Sequence, residues 1–458
     1  MSARAPHGAK PPPQTESAAS APAGPLPPDL AQAIYAKTLD CVHCGLCLTA
    51  CPTYLATGRE TSSPRGRVYL MRGAVEGRVP LAGLLEEEAF LCLGCRACET
   101  ACPAGVEYGA LLEQTRAALV REGAHAGLGS RVERALLRHV VARPRVLRAA
   151  VSLAGAAQRA RLDRLASALL PASVGQRLAL APRVPAARAR APLPAHTPAV
   201  GERRGRVALF TGCIMGELFG EVHRATIRVL AHNGFDVVVP RAQRCCGALH
   251  AHAGDLDTAR GLARANAEAF VGESGELDAL IVNSAGCGAA MREAEHWIGA
   301  EGARYASRVR DVCEWLDEVG LRAPTAHLDG TCCYDAPCHL VHAQRVDAAP
   351  IRLLARVPGL VLLEHEGRDA CCGAAGVYNL THPGMSRQVL APKLDALERA
   401  DPDWIATGNP GCAMQIAAGA RERGLRARVV HPVELLDAAY AAAAAGQGEA
   451  ARGSGPAA

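Results

Sequence analysis

The sequence Cys-Val-His-Cys-Gly-Leu-Cys-Leu-Thr-Ala-Cys-Pro at residues 41–52 holds four cysteines with two, two and three residues between them, and it ends in proline. Residues 92–103 repeat this spacing and also end in Cys-Pro. Three thiolates on one tight loop reach three irons of a [4Fe–4S] cubane, whereas the fourth cysteine starts the next segment and points toward a neighbouring cluster. The two motifs therefore predict two [4Fe–4S] clusters.

The position of the fourth cysteine predicts crossed ligation. One cluster takes Cys41, Cys44, Cys47 and Cys102, and the other takes Cys51, Cys92, Cys95 and Cys98. This arrangement places the clusters side by side, which suits electron transfer between them. The alternative is zinc, since four-cysteine zinc sites also use closely spaced pairs, but they need neither a third loop cysteine nor a Cys-Pro step.

The spacer between the motifs predicts the type of domain. Forty residues separate Cys51 from Cys92, and they include helix-like runs at residues 66–77 and 81–90. A small compact ferredoxin would have a shorter spacer. We therefore expect an α-helical ferredoxin domain over residues 29–122.

Composition limits the possible partners and location. The chain has 458 residues, 19 cysteines, 3% aromatic residues and a net charge of +5, and we expect no nucleic-acid partner. An odd cysteine count without a secretory signal argues against a disulfide scaffold and favours metal binding in a reducing compartment. No apolar run reaches about 18 residues. We expect a cytoplasmic protein, either free or peripheral on the inner face of a membrane.

A second cysteine pattern occurs twice in the C-terminal half. The first copy comprises Cys213, Cys245, Cys246 and Cys287, and the second comprises Cys338, Cys371, Cys372 and Cys412. In both copies the outer cysteines are 74 residues apart, and a glycine follows the Cys-Cys pair. Strand-like runs precede the cysteines, at residues 206–211, 236–239 and 278–283 in the first copy and at 360–365 and 404–407 in the second. The repeat predicts two α/β domains with cysteines at the strand ends, where such sheets bind ligands.

These repeated cysteines have two interpretations. Four thiols in each copy are enough for one further cluster in one or both domains, or they are buried, reduced cysteines of a duplicated scaffold. Four histidines follow these cysteines in the sequence, namely His250, His252, His339 and His342. They are either metal ligands or ordinary loop or helix residues. Three further cysteines fit no repeat and are expected to be structural, namely Cys313, Cys332 and Cys333.

The remaining segments complete an α+β multidomain chain. Disordered tails are predicted at 1–28 and 441–458, an Arg/Ala-rich helical segment with a linker at 123–200, and the Cys-Cys-Gly domains at 201–325 and 326–440. From Arg131 to Arg190 there are 13 arginines and two acidic residues. This segment is either a solvated helical face or a surface that docks on anionic lipid or an acidic subunit. Arg65 and Arg67 are either a solvated helix start or face an acidic partner or the charge of a reduced cluster.

The two Cys-x2-Cys-x2-Cys-x3-Cys-Pro motifs followed by two Cys-Cys-Gly domains resemble the glycolate oxidase (glycolate dehydrogenase) iron–sulfur subunit over roughly residues 35–440. Residues 44–54 and the run Ser-Pro-Arg-Gly-Arg-Val-Tyr-Leu at 63–70 strengthen this resemblance. It implies a subunit of an oxidoreductase complex that passes electrons from a flavin-bearing 2-hydroxyacid dehydrogenase subunit toward quinone or another acceptor. The chain has no dinucleotide-binding or Walker motif, so we expect neither flavin nor NAD on it and no catalysis by this chain alone.

The Cys-Cys-Gly domains also resemble the B component of heterodisulfide reductase, lactate-utilisation proteins and the C component of anaerobic glycerol-3-phosphate dehydrogenase. These resemblances imply two alternatives, a thiol/disulfide redox subunit or the iron–sulfur subunit of a lactate or glycerol-3-phosphate dehydrogenase. The fullest pattern of that family ends in Cys-x2-Cys. Here the copies end Cys287-Gly-Ala-Ala and Cys412-Ala-Met-Gln, which argues against the unusual catalytic cluster of heterodisulfide reductase.

Overall fold

An all-helical N-terminal domain precedes two parallel β-sheets flanked by helices in the computed structural model, which describes residues 26–162, 181–271 and 276–453. This arrangement confirms the predicted fold class of an α-helical ferredoxin domain followed by two duplicated α/β domains. The N-terminal helices are α1 (Pro28–Leu39), α2 (Pro52–Thr57), α3 (Pro64–Val75), α4 (Glu86–Leu91), α5 (Ala97–Thr100) and α6 (Tyr108–Arg121). Helix α1 packs on α3 and α6 around a buried apolar core.

The two helix-like runs predicted in the spacer have different outcomes. Helix α3 begins two residues earlier than the run at 66–77, because Pro64 occupies its first turn and the Ser63 hydroxyl accepts a hydrogen bond from the Gly66 amide. The run at 81–90 is regular helix only from Glu86, since Ala82 and Gly83 have non-helical backbone angles. Gly66 is required where it stands, because a Cβ there would lie 2.0 Å from the Glu60 carbonyl oxygen.

The Arg/Ala-rich segment forms two helices in its described part. Helix α7 (Leu128–Leu136) continues through a wider turn at Leu137–Val141, and α8 (Pro144–Arg159) follows. The part of this segment at 163–180 lies outside the described residues. Among the described helices, none combines the length and the apolar character needed to cross a lipid bilayer.

The first sheet has strand order β1-β3-β2-β4-β5, and all its neighbours are parallel except β1, which runs antiparallel to β3. Its strands are β1 (His196–Thr197), β2 (Gly205–Phe210), β3 (Phe235–Val238), β4 (Ala279–Val282) and β5 (Val309–Asp311). Its helices are α9 (Ile214–Leu218), α10 (Gly220–His232), α11 (Ala248–His252), α12 (Leu256–Val271), α13 (Ala285–Arg292), α14 (Glu295–Ile298), α15 (Ala300–Ala306) and α16 (Val312–Glu318). The strands predicted at 206–211, 236–239 and 278–283 are therefore present within one residue at each end.

The second sheet repeats this topology in the order β7-β6-β8-β9, with every neighbour parallel. Its strands are β6 (Gly330–Tyr334), β7 (Leu360–Leu363), β8 (Trp404–Ala406) and β9 (Arg428–Val430). Its helices are α17 (Ala348–Leu354), α18 (Tyr378–Thr381), α19 (Pro383–Ala400), α20 (Pro410–Arg423) and α21 (Pro432–Gly453). The strands predicted at 360–365 and 404–407 correspond to β7 and β8.

The central strand β6 was not predicted, although it starts 125 residues after β2, as the repeat requires. Cys332 and Cys333 occupy its interior, with no exposed surface, at the positions of Val207 and Ala208 in β2. A buried cysteine behaves as a small apolar residue, so these two pack as core side chains. Their burial is consistent with the structural role expected for them.

The two α/β copies exchange their last helices. Helix α16 of the first copy packs on α17 of the second, and α21 of the second packs on α10 of the first. One continuous apolar core consequently includes residues of both sheets and of both exchanged helices, among them Leu209, Leu316 and Leu436. The predicted boundary at 325/326 falls between the sheets, but the two copies do not have separate cores.

The described residues overlap the ends of both predicted tails. Residues 1–25 lie outside the described part, and Leu26 is buried just before α1 begins at Pro28. Helix α21 extends to Gly453, into the segment predicted as a disordered tail from residue 441. The end of this helix is rich in alanine, which has the strongest intrinsic helix propensity of all residue types. The limits of both tails stay a prediction.

The exchanged helix makes a testable prediction. Leu436 is fully buried, so Leu436→Ala should lower the free energy of unfolding by about 2–5 kcal/mol. Because α21 packs on the first copy, amide hydrogen exchange should also become faster in α10, about 200 residues earlier in the chain. Leu153→Ala, at a side chain that is 74% exposed, is the control and should leave exchange in α10 unchanged. Faster exchange confined to the second copy would contradict a shared core.

Candidate metal centres

The two N-terminal cysteine loops share a pair of left-handed backbone positions. The second and fourth residues after the first cysteine have positive φ in both loops, at His43 and Gly45 and again at Gly94 and Arg96. Such turns direct amide N–H groups toward an anion on their concave side. The Gly94 amide accordingly donates to the Cys92 sulfur over 3.4 Å.

The structure brings Cys51 to the second loop. A small cavity is lined by Cys51, from the start of α2, together with Cys92, Cys95 and Cys98. Burial raises the pKa of Cys98 well above its ordinary value, and the neighbouring Cys95 and Cys92 raise it further, with a smaller effect from Cys51. Cys102, the last cysteine of the second motif, does not line this cavity.

Arg67 is a fully buried cation at this site. Its side chain is 1% exposed, and it donates from Nε to the Glu88 carbonyl oxygen over 2.7 Å and from Nη2 to Thr53 Oγ1 over 3.1 Å. Burial lowers its pKa, but Cys92, Tyr108, Cys51 and Glu88 outweigh this and raise it. Arg67 lines the cavity, and its buried Nη1 has no hydrogen-bond partner among the described residues. An unsatisfied cationic donor beside four thiols fits an anionic iron–sulfur cluster. The interpretation of Arg67 as part of a solvated helix start is therefore wrong.

The other four N-terminal cysteines are, as a set, more exposed. Cys44 is exposed, and Cys41, Cys47 and Cys102 are half-buried. The pKa of Cys47 is raised chiefly by burial and then by the nearby Cys41 and Cys102 thiols, so Cys102 lies with the first loop. Arg65 borders this group through Nη1, which donates to the His43 carbonyl oxygen over 3.2 Å. The same side chain pairs with Glu60 over 2.8 Å at a partly exposed helix start.

The first Cys-Cys-Gly copy gathers its four cysteines at the carboxyl ends of its strands. Cys213 follows β2, the Cys245–Cys246 pair precedes α11, and Cys287 lies in the first turn of α13. The sulfurs of Cys245 and Cys213 are 3.4 Å apart, and those of Cys246 and Cys287 are 3.3 Å apart. Two close thiol pairs thus share one end of the sheet.

The second copy repeats this grouping. The sulfurs of Cys372 and Cys412 are 3.1 Å apart, and Cys371 lies close to Cys338. The Gly373 amide donates to the Cys371 sulfur, and the Asn409 side-chain amide donates to the Cys412 sulfur, each over 3.4 Å. Asn409 also accepts a hydrogen bond over 3.1 Å from the Gly286 amide, next to Cys287, and so connects the cysteine sites of the two copies.

A buried ion pair distinguishes the second copy from the first. Lys393 pairs with Asp335, both side chains are 1% exposed, and Lys393 also donates to the carbonyl oxygens of Gly367 and Arg368 over 2.9 and 3.1 Å. Burial lowers the pKa of Lys393, but Asp335 and then Cys372 and Cys412 outweigh this and raise it.

The first copy has neutral groups in the corresponding places. Phe210 stands three residues before its first cysteine, where the second copy has Asp335. The amide of Asn266 holds the loop before its Cys-Cys pair, because Asn266 accepts from the Arg244 amide over 2.7 Å and donates to the Cys245 carbonyl oxygen over 3.0 Å.

The second copy lies directly against the buried N-terminal site. Cys95 and Cys371 pack in one small cluster with Leu93 and Tyr378, and the Tyr378 hydroxyl donates to the Leu91 carbonyl oxygen over 2.8 Å. Cys371 is the main cause of a lowered pKa at Cys95. The sequence carried no indication of this contact, because nothing in the spacing of Cys95 and Cys371 relates the two motifs.

The predicted histidines fall into two groups. His250 is buried beside Cys245 and contributes to the lowered pKa of that thiol, after the Cys213 and Cys246 thiols. The other three lie at contacts between domains, since His252 pairs with Glu113 over 3.5 Å and stacks on His339, and His342 is 2.9 Å from Thr100 Oγ1. In the described ranges no three His, Cys, Asp or Glu side chains converge on a single metal ion. This result concerns sites for a single metal ion, because a cubane spreads its cysteine ligands over separate irons.

Comparison with protein families assigns both halves of the chain. Residues 37–106 match the 4Fe-4S dicluster domain family, and residues 207–292 and 332–417 each match the cysteine-rich domain family. The first match covers both N-terminal motifs, so the chain carries two [4Fe–4S] clusters. The second match includes both Cys-Cys-Gly repeats.

Curated relatives share most of the chain. A probable glycolate oxidase iron–sulfur subunit of Bacillus subtilis (strain 168) is 36% identical over 417 residues, which cover 87% of this chain and 93% of the relative. The glycolate oxidase iron–sulfur subunit of Escherichia coli (strain K12) is 34% identical, with the same coverage. The B component of a fumarate reductase (CoM/CoB) from Methanothermobacter marburgensis is 27% identical over 88% of this chain and 73% of its own. By identity and coverage, this chain belongs to the family of glycolate oxidase iron–sulfur subunits.

Proposed function

We propose that this chain carries electrons within a glycolate-oxidising complex, from a flavin-bearing 2-hydroxyacid dehydrogenase subunit toward quinone or another acceptor. The contact between Cys95 and Cys371 carries the proposal, because it joins the buried N-terminal site to the C-terminal half. Glycolate as the substrate comes from the names of the two relatives at 36% and 34% identity.

The chemistry explains why a partner is needed. When bound, [4Fe–4S] clusters transfer one electron at a time and have irons capped by thiolates, so they offer no site for an alcohol. Oxidation of the alcohol carbon removes two electrons, which a flavin accepts as a hydride equivalent. The role of this chain is then to hold the clusters, neutralise their charge and exclude water from the buried one.

We assign the cluster ligands in the crossed arrangement. Cys51, Cys92, Cys95 and Cys98 are proposed for one cluster, because these four line a single cavity with Arg67. Cys41, Cys44, Cys47 and Cys102 are proposed for the other, and the proximity of Cys41 and Cys102 to Cys47 supports this set. Because Cys44 is exposed, we expect the cluster held by Cys41, Cys44, Cys47 and Cys102 to lie closer to an external partner than the buried cluster does.

The cysteines of the second Cys-Cys-Gly copy are proposed as the next redox site. They are Cys338, Cys371, Cys372 and Cys412, and they have the buried cation Lys393 nearby to stabilise added negative charge. From there Asn409 bridges to the first copy, with Cys213, Cys245, Cys246 and Cys287. Each of these sets is proposed to hold either one further cluster or reduced thiols.

Thiol/disulfide chemistry is a second candidate function for these domains. The observation that favours it is the separation of only 3.1–3.4 Å between paired sulfurs in both copies. Oxidation of such a pair would release two electrons and two protons and form one S–S bond. A purified subunit that reduces a disulfide without any flavoprotein would favour this candidate.

Double substitutions test the crossed ligation. Cys51→Ser should remove the buried cluster, or about four irons and four sulfides per chain. Adding Cys95→Ser should remove no further iron, because both residues serve the same cluster, whereas adding Cys47→Ser should remove about four more. Iron and sulfide analysis of anaerobically purified protein measures these losses. The assignment fails if Cys51→Ser with Cys95→Ser loses twice as much iron as Cys51→Ser alone.

The repeat supplies a matched pair of variants for the contact between the two halves. The Cys371 thiol favours the ionised form of Cys95, so Cys371→Ala should lower the reduction potential of the buried cluster. A tenfold change in the equilibrium constant of a one-electron reduction corresponds to a fall of roughly 60 mV. Cys245→Ala changes the equivalent residue of the first copy and should leave that potential unchanged. Redox titration followed by electron paramagnetic resonance measures both variants. Equal shifts in the two variants would refute a specific contact.

The proposed function is tested by reconstitution. The purified chain should not reduce a dye with glycolate, whereas a mixture with its flavin-bearing subunit should. Replacing Cys95 with serine should stop electron flow to the physiological acceptor, while the flavin subunit keeps some ability to reduce a small artificial dye. Turnover of glycolate by this chain after removal of all flavoprotein would overturn the proposal.

A further inference from the structure

Helix α7 exposes apolar side chains on the side that faces away from the protein. Leu128, Val132 and Leu136 lie on successive turns and are 81%, 48% and 55% exposed. Leu137 is buried, and it follows Leu128 by nine residues, which places it on roughly the opposite side of a helix with 3.6 residues per turn. The exposed stripe is therefore distinct from the side of the helix that packs on the rest of the protein.

Helix α8 repeats the pattern. Leu147 and Gly155 are buried and share one side of the helix. Val146 and Leu153 are 41% and 74% exposed and lie on the other side, with the exposed Ala149 between them. Two consecutive helices thus present apolar stripes to the surroundings, a combination that is uncommon on an isolated soluble surface.

Unpaired arginines accompany both stripes. From residue 131 to residue 161 the sequence has eight arginines and one acidic residue, Glu133. Arg138 and Arg148 form ion pairs with Asp255 and Glu217. Five further arginines are exposed and form no ion pair with any described residue, namely Arg131, Arg143, Arg145, Arg159 and Arg161. This face is therefore both apolar and strongly cationic.

We infer that α7 and α8 dock this protein on the surface of an anionic lipid bilayer. Helices with an apolar stripe bordered by arginines lie in the plane of the membrane interface, where apolar side chains enter the acyl boundary and cations meet lipid phosphates. A protein partner is less well matched, because the centre of a protein interface is normally enriched in aromatic residues, and neither α7 nor α8 contains one. The inference goes beyond the proposed function and does not depend on the substrate.

The inner side of α8 gives this docking a consequence for the redox sites. Leu147 and Arg148 line a cavity of about 300 Å³ that reaches Cys213 and Cys245 of the first copy. Its wall also includes the apolar residues Pro192 and Leu193. Docking through α8 would bring this cavity close to the lipid phase, in which a quinone is dissolved.

Vesicle binding tests the inference with the full-length, cluster-loaded chain. Co-sedimentation should be strong with vesicles that contain phosphatidylglycerol, weak with pure phosphatidylcholine, and reduced by high salt. Leu136→Ser combined with Leu153→Ser should weaken binding at least tenfold, and Arg145→Glu should weaken it chiefly at low salt. Val361→Ser, at a side chain that is 55% exposed on β7, is the control and should bind like the unmodified chain.

Iron content and circular dichroism of each variant show whether it is folded. Binding that is absent, or equal for both lipids, or unchanged by the two leucine substitutions would overturn the inference. Loss of binding to the flavin-bearing subunit in the leucine variant, without any vesicle binding by the unmodified chain, would assign the face to a protein partner instead. None of these outcomes depends on glycolate turnover, so the proposed function can fail or succeed separately.

Discussion

Burying negatively charged sulfur is the physical problem that this structure has to solve. A thiolate or an iron–sulfur cluster loses much solvation energy inside a protein, and backbone N–H groups and cations have to replace the water. The N-terminal domain uses a repeated left-handed turn and the buried Arg67, whose own charge is balanced by Glu88. The second Cys-Cys-Gly copy uses Lys393 with Asp335. Both devices place a cation beside cysteines that few solvent molecules reach.

This requirement also explains how the domains are joined. The contact of Cys95 with Cys371 lies at a buried part of the N-terminal domain, where a neighbouring protein surface removes water more completely than a loop would. Tyr378 closes this contact from the second copy, and Arg116 donates to the His252 carbonyl oxygen over 3.0 Å from the other side. The N-terminal domain is therefore held by both copies, although a cysteine-to-cysteine contact forms with only one of them.

The sequence predicted the features that depend on local spacing. Cubane-type cysteine intervals, the repeat and most strands are local patterns, and the structure has them where they were expected. Strand β6 was missed because Cys332 and Cys333 replace β-branched or aliphatic residues in its centre. The role of Arg67 was left open because a helix start is normally solvated, and only the tertiary contact with Glu88 shows that it is buried. Lys393 and Asp335 were missed since their positions are 58 residues apart and have no motif.

The exchange of helices between the two α/β copies affects how the chain is made. Synthesis proceeds from the N-terminus, and domains generally fold as units once they emerge from the ribosome. Here α10 emerges early but packs on α21, which is near the end of the chain. The first copy consequently has an uncovered apolar helix while the residues between His232 and Pro432 are made. Rapid completion of the chain, or a chaperone that covers α10 until release, would protect this helix.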